Sequence, residues 1–201
     1  MRSWPLRQEG TYAMGTPSNP PSNPPSNPPN PLTPTNTGRS GARRASSTSL
    51  ATVASLVGDA TTPVFVDTSG WADPILQNTP AYEDMVACYR ELMDRQQRLI
   101  TTNYVLTEVV ALLTIRSHGL SRPALLQYID DLLALPWVQV LYIDETLHQD
   151  AWNLLKESPD KTWSWVDASS FVVMRRQGLA YAFTSDHHFS QAGFVRLPLQ
   201  P

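Results

Sequence analysis

The chain has 201 residues, a formal net charge of −3 and a single cysteine, Cys88. This length suits one ordinary domain with an appendage, and one cysteine excludes an intrachain disulfide. No apolar run approaches the roughly 18–20 residues of a membrane span. Residues 61–201 have a net charge of −6, so they are not a passive binder of polyanions.

Residues 1–60 differ from the rest of the chain in composition. Ten of the eighteen prolines lie before residue 35, where Ser-Asn-Pro-Pro occurs three times between Ser18 and Pro29. This tract predicts a disordered extension with polyproline II character over residues 1–60, followed by a folded domain over residues 61–201. The extension has a net charge of +3 and the domain one of −6.

A faint resemblance to an export signal lies in this extension. Arg43 and Arg44 precede the weakly apolar segment from Leu50 to Val57, but Thr52 and Ser55 interrupt that segment. The segment also lies far from Met1, so we expect a cytoplasmic protein.

Short apolar runs alternate with helical patterns after residue 61. Strands are predicted at 64–66, 99–101, 138–143, 179–183 and 194–197. Helices are predicted at 81–97, from Thr102 or Asn103 to Gly119, from Ser121 to about 135, at 145–156, and from Ser164 to Gly178. Strands of this kind, apolar on both faces and alternating with helices, indicate an α/β fold with a central parallel sheet flanked by helices.

Four acidic residues stand at strand ends or in opening turns of helices: Asp67, Glu108, Asp167 and Asp186. In open parallel sheets the ligand crevice lies at the carboxyl ends of the strands, so these four segments are expected to meet at one rim. Several buried carboxylates repel one another unless a cation neutralises them. A hard divalent metal is the expected partner, and phosphodiester hydrolysis the expected chemistry.

Each acid has a predicted role in that scheme. Asp67 is the central Mg²⁺ ligand, Asp167 and Asp186 complete the metal site, and Glu108 orients a water or assists proton removal. Ser69 and Thr184 are the candidates for hydrogen bonds that support the ligands.

Each acid also has a purely structural interpretation. Asp67 could cap the helix that follows it, and the Ser164-x-x-Asp167 pattern is typical of a capping box. Glu108 could be a solvated helix residue, and Asp186 a turn residue.

Other residues carry weaker signals. His187 and His188 suit a transition metal, but no H-x-x-x-H pattern or nearby cysteine accompanies them, so surface or hydrogen-bonding roles are favoured. Trp163 and Trp165 are expected to pack, with stacking on an RNA base as the alternative. Arg175 and Arg176 lie in the last turn of the helix predicted from Ser164 to Gly178, where positive charges interact favourably with the helix dipole.

The order of these motifs resembles a known family. Phe65 to Ser69, Thr107-Glu108, Asp167-Ala168 and Thr184 to Phe189 are similar to the corresponding segments of PIN-domain ribonucleases, and most similar to toxin nucleases of the VapBC toxin–antitoxin type. The resemblance covers about residues 63–198. Some members have a further acid shortly after the fourth, where this chain has His187 and His188.

The resemblance implies a three-layer α/β/α fold with Mg²⁺- or Mn²⁺-dependent endoribonuclease activity, homodimerisation and inhibition by a small antitoxin. It assigns the catalytic acids to Asp67, Glu108, Asp167 and Asp186. We expect fold and cleavage to persist without residues 1–60.

Two alternatives stay open. A phosphatase with Asp67 as nucleophile would normally carry a second acid two residues later, where this chain has Ser69. A catalytically silent PIN-like scaffold that binds RNA or protein would keep the fold without cleaving its ligand.

Overall fold

The computed structural model describes residues 52–76, 81–116 and 120–199. Most of the extension predicted to be disordered, residues 1–51, lies outside these ranges, and so does Gly119, the predicted end of a helix. Within them, no helix combines the length and apolar character needed to cross a membrane.

Five parallel strands form one sheet in the order β3-β2-β1-β4-β5. In chain order they are β1 (Val64–Val66), β2 (Leu99–Thr102), β3 (Val138–Leu141), β4 (Tyr181–Phe183) and β5 (Val195–Leu197). Every residue of β1 and β2 is buried, as expected for parallel strands that are covered on both faces. The predicted α/β/α sandwich with a central parallel sheet is confirmed.

Eight helices lie in the described ranges. They are α1 (Val53–Val57), α2 (Thr68–Ala72), α3 (Tyr82–Asp94), α4 (Asn103–Arg116), α5 (Arg122–Leu133), α6 (Glu145–Glu157), α7 (Trp165–Gln177) and α8 (His188–Gln191).

The predicted helix starts at Ser121 and Ser164 are confirmed, since both side chains cap their helices. Helix α3 ends at Asp94 rather than at residue 97, because Gln96 takes a left-handed conformation with φ of 50°. Helix α8 was not predicted. It is only four residues long and has no side-chain cap, so it leaves little periodic pattern in the sequence.

The strand order places a topological switch between β1 and β4. From β1 the sheet extends through β2 to β3 on one side, and from β4 to β5 on the other. Ligand crevices of parallel sheets form at such points, outside the carboxyl ends of the strands. Asp67 follows β1 and Thr184 follows β4, so the fold brings both to this crevice.

Aromatic packing fixes the helices around the switch point. The rings of Phe171 on α7 and Phe189 on α8 lie 5.0 Å apart, edge to face, and Phe189 also lies 6.1 Å from Phe65 of β1. All three side chains are fully buried. Because aromatic pairs of this kind combine a large buried area with a preferred geometry, they hold α7 and α8 against the central strand.

Helix α1 lies inside the segment predicted to be a disordered extension. Val53 and Val57 are buried in the main core, Ala54 N donates to Glu91 Oε1 at 2.9 Å, and the Tyr181 hydroxyl donates to Leu56 O at 2.9 Å. Helix α1 therefore packs on the folded part, although it precedes the predicted boundary between residues 60 and 61.

We expect truncation at residue 60 to be less stable than truncation at residue 51. Removing α1 exposes the surface that Val53 and Val57 cover, which should lower the free energy of unfolding by about 3 kcal/mol. Urea denaturation of the two truncated proteins measures the difference. Alkylation of Cys88 gives a second readout, since burial raises the pKa of this thiol to about 12 and protects it in the folded state. Equal stability of the two truncations would show that α1 adds nothing.

Candidate active site

Asp67 is the most deeply placed of the predicted acids. It is 4% exposed and caps α2. Its Oδ2 accepts hydrogen bonds from Thr184 Oγ1 at 3.0 Å, Ser69 Oγ at 3.1 Å and Ser69 N at 3.4 Å. The capping interpretation is thus geometrically right, and the same carboxylate also stands at the switch point between β1 and β4.

Burial and, to a lesser extent, the nearby charge of Asp167 raise the pKa of Asp67 to about 7, against the hydrogen bonds that lower it. Burying an unpaired carboxylate anion costs free energy, and a bound cation would offset that cost.

We expect this burial to appear as pH-dependent stability in a chelating buffer. The folded protein holds a proton on Asp67 up to about pH 7, whereas the unfolded chain releases it near the ordinary pKa of 3.8. The contribution of Asp67 to the free energy of unfolding is therefore lost as the pH rises through 7. Between pH 5.5 and pH 8 the wild type should lose about 2 kcal/mol more than Asp67→Asn. Denaturation of both proteins at the two pH values measures this, and parallel curves would contradict it.

The two predicted supporting residues link the ends of β1 and β4. Ser69 Oγ and Thr184 Oγ1 lie 2.9 Å apart. Ser185 N donates to Ser69 Oγ at 3.0 Å, and Asp186 N donates to Thr184 Oγ1 at 3.0 Å. The network therefore ties the Asp67 carboxylate to the loop that carries Asp186.

Asp167 lies in the first turn of α7 as part of a capping box. Ser164 N donates to Asp167 Oδ2 at 2.7 Å, and Asp167 N donates to Ser164 Oγ at 3.0 Å. Burial raises the pKa of Asp167, as does the charge of Asp186, while His188 lowers it. Asp167 thus stabilises a helix start and also belongs to the electrostatic environment of Asp67 and Asp186.

Asp186 is held by the backbone of the short helix α8. Its Oδ1 accepts a hydrogen bond from His188 N at 2.9 Å, and its Oδ2 lies 3.3 Å from His188 Nδ1. Asp167 Oδ2 lies 3.5 Å from the same nitrogen. The imidazole of His188 therefore stands between two of the predicted catalytic acids, a placement that the sequence analysis did not favour.

Glu108 lies at the edge of this group. It is exposed on α4, and its Oε2 accepts a hydrogen bond of 2.6 Å from Thr68 Oγ1. Thr68 directly follows Asp67 in the chain, so Glu108 is connected to the buried acids through the start of α2.

Two further residues at the site were missed by sequence reasoning. Asp73 is 8% exposed and accepts a 2.6 Å hydrogen bond from Ser185 Oγ. Gly70 lies where α2 crosses β4, and a Cβ there would stand 2.3 Å from the Phe183 carbonyl oxygen. Both residues lie in the short segment that follows the buried strand β1. A glycine and an acid at such a place were the sequence signals that could have identified them as site residues.

Trp163 and Trp165 differ in their environment: one is a packing residue and the other is exposed. Trp163 packs edge to face on Phe171 at 5.0 Å, as expected of a packing residue. Trp165 is 38% exposed and stacks on Trp152 at 4.8 Å, with His148 4.5 Å away on α6. Its flat face thus forms part of an exposed aromatic stack.

The donor atoms at the site fit a divalent cation. Carboxylate oxygens are the ligands that Mg²⁺ and Mn²⁺ prefer. Ligand atoms of Asp186, His187 and His188 lie within 4.8 Å of one another. In addition, His188 Nδ1 is buried and makes no hydrogen bond, although a carboxylate oxygen of each of Asp167 and Asp186 lies within 3.5 Å of it.

Comparison with known proteins gives consistent matches. The model of a family described as PIN domain matches residues 64–195. The 23S rRNA-specific endonuclease VapC20, in each of two strains of Mycobacterium tuberculosis, is 33% identical over 135 residues, which cover 67% of this chain and 97% of the relative. A crystal structure of M. tuberculosis VapC20, described as a sarcin-ricin loop cleaving toxin, matches with a TM-score of 0.57 and 31% identity. That match covers 66% of this chain and 96% of the other.

Proposed function

The chain belongs to the PIN-domain family, and we propose that it is a metal-dependent endoribonuclease that hydrolyses RNA phosphodiester bonds as the toxin of a toxin–antitoxin pair. The observation that carries the proposal is the group of carboxylates at the switch point. Asp67, Asp167 and Asp186 belong to three separate segments of the chain. They nevertheless interact electrostatically, since the charge of Asp167 raises the pKa of Asp67 and the charge of Asp186 raises the pKa of Asp167.

Asp67, Asp167 and Asp186 would hold the Mg²⁺ or Mn²⁺ ion, with Glu108 at the edge. When bound, the ion supplies positive charge that offsets the negative charge developing at phosphorus and makes nearby water more acidic. Ser69 and Thr184 fix the orientation of the Asp67 carboxylate through their hydrogen bonds. Because the carboxylate is already oriented, no free energy is spent on reorienting it during the reaction.

Glu108 is the group best placed to take a proton. It is exposed, so water can reach it, and its carboxylate is held at the start of α2 by Thr68. In the proposed reaction Glu108 accepts the proton from the attacking water as the new phosphorus–oxygen bond forms and the leaving oxygen departs.

The proposed substrate is a structured loop of ribosomal RNA, because the relative of known specificity is a 23S rRNA-specific endonuclease. A small antitoxin is the proposed partner, since the matched solved structure is that of a toxin. Such an activity would operate in the cytoplasm, where ribosomes are found. Homodimerisation stays a prediction of the family resemblance, and light scattering of the purified protein would test it.

The proposal is tested by incubating the protein with 23S rRNA and with an isolated sarcin–ricin hairpin. We expect a single main cut in the presence of Mn²⁺ or Mg²⁺, loss of cleavage on adding EDTA, and recovery with excess metal. A hairpin with a scrambled loop is the matched control. RNA that binds but stays intact with every divalent ion would favour the silent scaffold. Hydrolysis of small phosphomonoesters alone would favour the phosphatase.

We expect the exposed stack of Trp152 and Trp165 to contribute to RNA binding. Replacing both with alanine should raise KM about 5- to 10-fold and leave kcat nearly unchanged, because stacking of a base on an aromatic ring is worth about 1–3 kcal/mol. Steady-state cleavage of the hairpin measures both constants. Ile115→Ala is the control, since Ile115 is 78% exposed but has no aromatic face. An unchanged KM in the double variant would exclude RNA contact by the stack.

A further inference from the structure

The imidazole nitrogen Nδ1 of His188 lies beside the carboxylates of Asp167 and Asp186. Its side chain is only 15% exposed, and Nδ1 lies 3.3 Å from Asp186 Oδ2 and 3.5 Å from Asp167 Oδ2. Nδ1 nevertheless makes no hydrogen bond with either oxygen. The imidazole nitrogen therefore lies within 3.5 Å of a carboxylate oxygen of each of two acids, with no hydrogen bond to either oxygen.

The rest of the ring is held in place from both sides. Thr162 Oγ1 lies 3.2 Å from Nε2, and the backbone nitrogen of His188 donates to Asp186 Oδ1. With a metal ion bound, Nε2 would give its hydrogen to the Thr162 hydroxyl and Nδ1 would offer its lone pair to the ion. An imidazole that binds a metal is commonly oriented in this way, with its other nitrogen donating to a fixed oxygen.

The distances also agree with ligands that share an ion. Two adjacent ligands of an octahedral ion, each about 2.1 Å from the metal, stand about 3 Å apart. The nitrogen-to-oxygen distances of 3.3 and 3.5 Å are close to this value.

We propose that His188 is a nitrogen ligand of the divalent ion at this site, beside Asp167 and Asp186, and that it makes the site prefer Mn²⁺ to Mg²⁺. The inference rests on the proposed metal-dependent function and adds to it a ligand outside the four acids. Imidazole suits transition-metal ions, whereas Mg²⁺ favours oxygen ligands and water. If residue 188 were an aspartate or glutamate, the site would offer only oxygen ligands, and the preference for Mn²⁺ over Mg²⁺ would be lost.

The test is pulsed electron paramagnetic resonance of Mn²⁺ added to the full-length, metal-free protein. A directly bound imidazole gives a ¹⁴N modulation that carboxylates and water do not. We expect this modulation in the wild type and in His148→Asn, and its loss in His188→Asn. His148 is the matched control because its imidazole lies on α6, beside Tyr104 and Trp165, and is not among the grouped ligand atoms at the site.

Affinity gives the second readout. His188→Asn should weaken Mn²⁺ binding by at least about 10-fold and Mg²⁺ binding by less than about threefold, both measured by calorimetry. Thermal melting and protection of Cys88 from alkylation show that the variant is folded. Equal loss of affinity for the two ions in a folded variant would overturn the proposed preference.

The outcomes separate this inference from the proposed function. Mn²⁺ that binds and supports RNA cleavage without a ¹⁴N signal would overturn the role of His188 alone. A ¹⁴N signal without cleavage of any RNA would support the ligand and count against the nuclease. Mn²⁺ that does not bind, or that binds equally well to Asp67→Asn with Asp167→Asn, would overturn both.

Discussion

Replacing Asp67 with asparagine is expected to lower the rate of RNA cleavage by about 10³-fold while the protein stays folded. Asparagine has nearly the same shape and can still accept hydrogen bonds from Ser69 and Thr184 through its amide oxygen. It carries no charge, however, and binds a divalent cation far more weakly than a carboxylate does. The variant thus removes the chemistry of the site and keeps its packing.

The rate is measured with excess enzyme and limiting hairpin RNA, so that the chemical step is followed directly. Asp130→Asn is the matched control, because this aspartate is exposed on α5; its rate should equal that of the wild type. We expect Asp67→Asn to bind the hairpin with nearly unchanged affinity. Cleavage at the wild-type rate in a folded, metal-saturated Asp67→Asn variant would contradict the proposed role of Asp67.

Much of the frame that positions this site follows from local sequence. Val64 to Val66 form a strand because all three are apolar and a short segment of this kind fits a sheet covered on both faces. Ser121 and Ser164 mark helix starts because their hydroxyls satisfy free backbone amides. Alternation of such elements was sufficient to predict the parallel sheet, and with it the edge of the sheet at which Asp67 and Thr184 lie.

The parts that were not predicted depend on contacts between distant segments. Helix α1 offers only five residues, and its place in the fold comes from contacts with Glu91 and Tyr181. The contact of Asp73 with Ser185 joins residues 112 positions apart. Neither pairing leaves a periodic pattern in the chain.

His188 illustrates a different limit. Adjacent histidines after a strand suggest surface residues, and His187 fits that interpretation with a side chain that is 66% exposed. The turn into α8 moves the next residue inward, so that the side chain of His188 is 15% exposed. Local sequence cannot distinguish two neighbouring imidazoles whose environments differ because of a four-residue helix.

Gly70→Ala is expected to damage both stability and cleavage. In an ordinary helix interior this change stabilises a protein by about 0.5–1 kcal/mol. Here the new Cβ would stand 2.3 Å from the Phe183 carbonyl oxygen and 2.9 Å from a Val66 methyl group. The Phe183 oxygen is backbone and already accepts a hydrogen bond from Asp67 N, so α2 must move away from β4. The free energy of unfolding should fall by about 3 kcal/mol.

Movement of α2 also separates Asp67 from Thr184, so cleavage by the folded Gly70→Ala protein should fall about 10²-fold, as small misplacements of catalytic groups commonly do. Gly178→Ala is the matched control. This glycine also has a special conformation, with φ of +65°, but a Cβ there meets open space. Its change should cost about 1 kcal/mol and leave cleavage intact. Denaturation and single-turnover cleavage of both variants measure the contrast. A Gly70→Ala protein as stable and active as the wild type would show that close packing of α2 on β4 does not hold the site together.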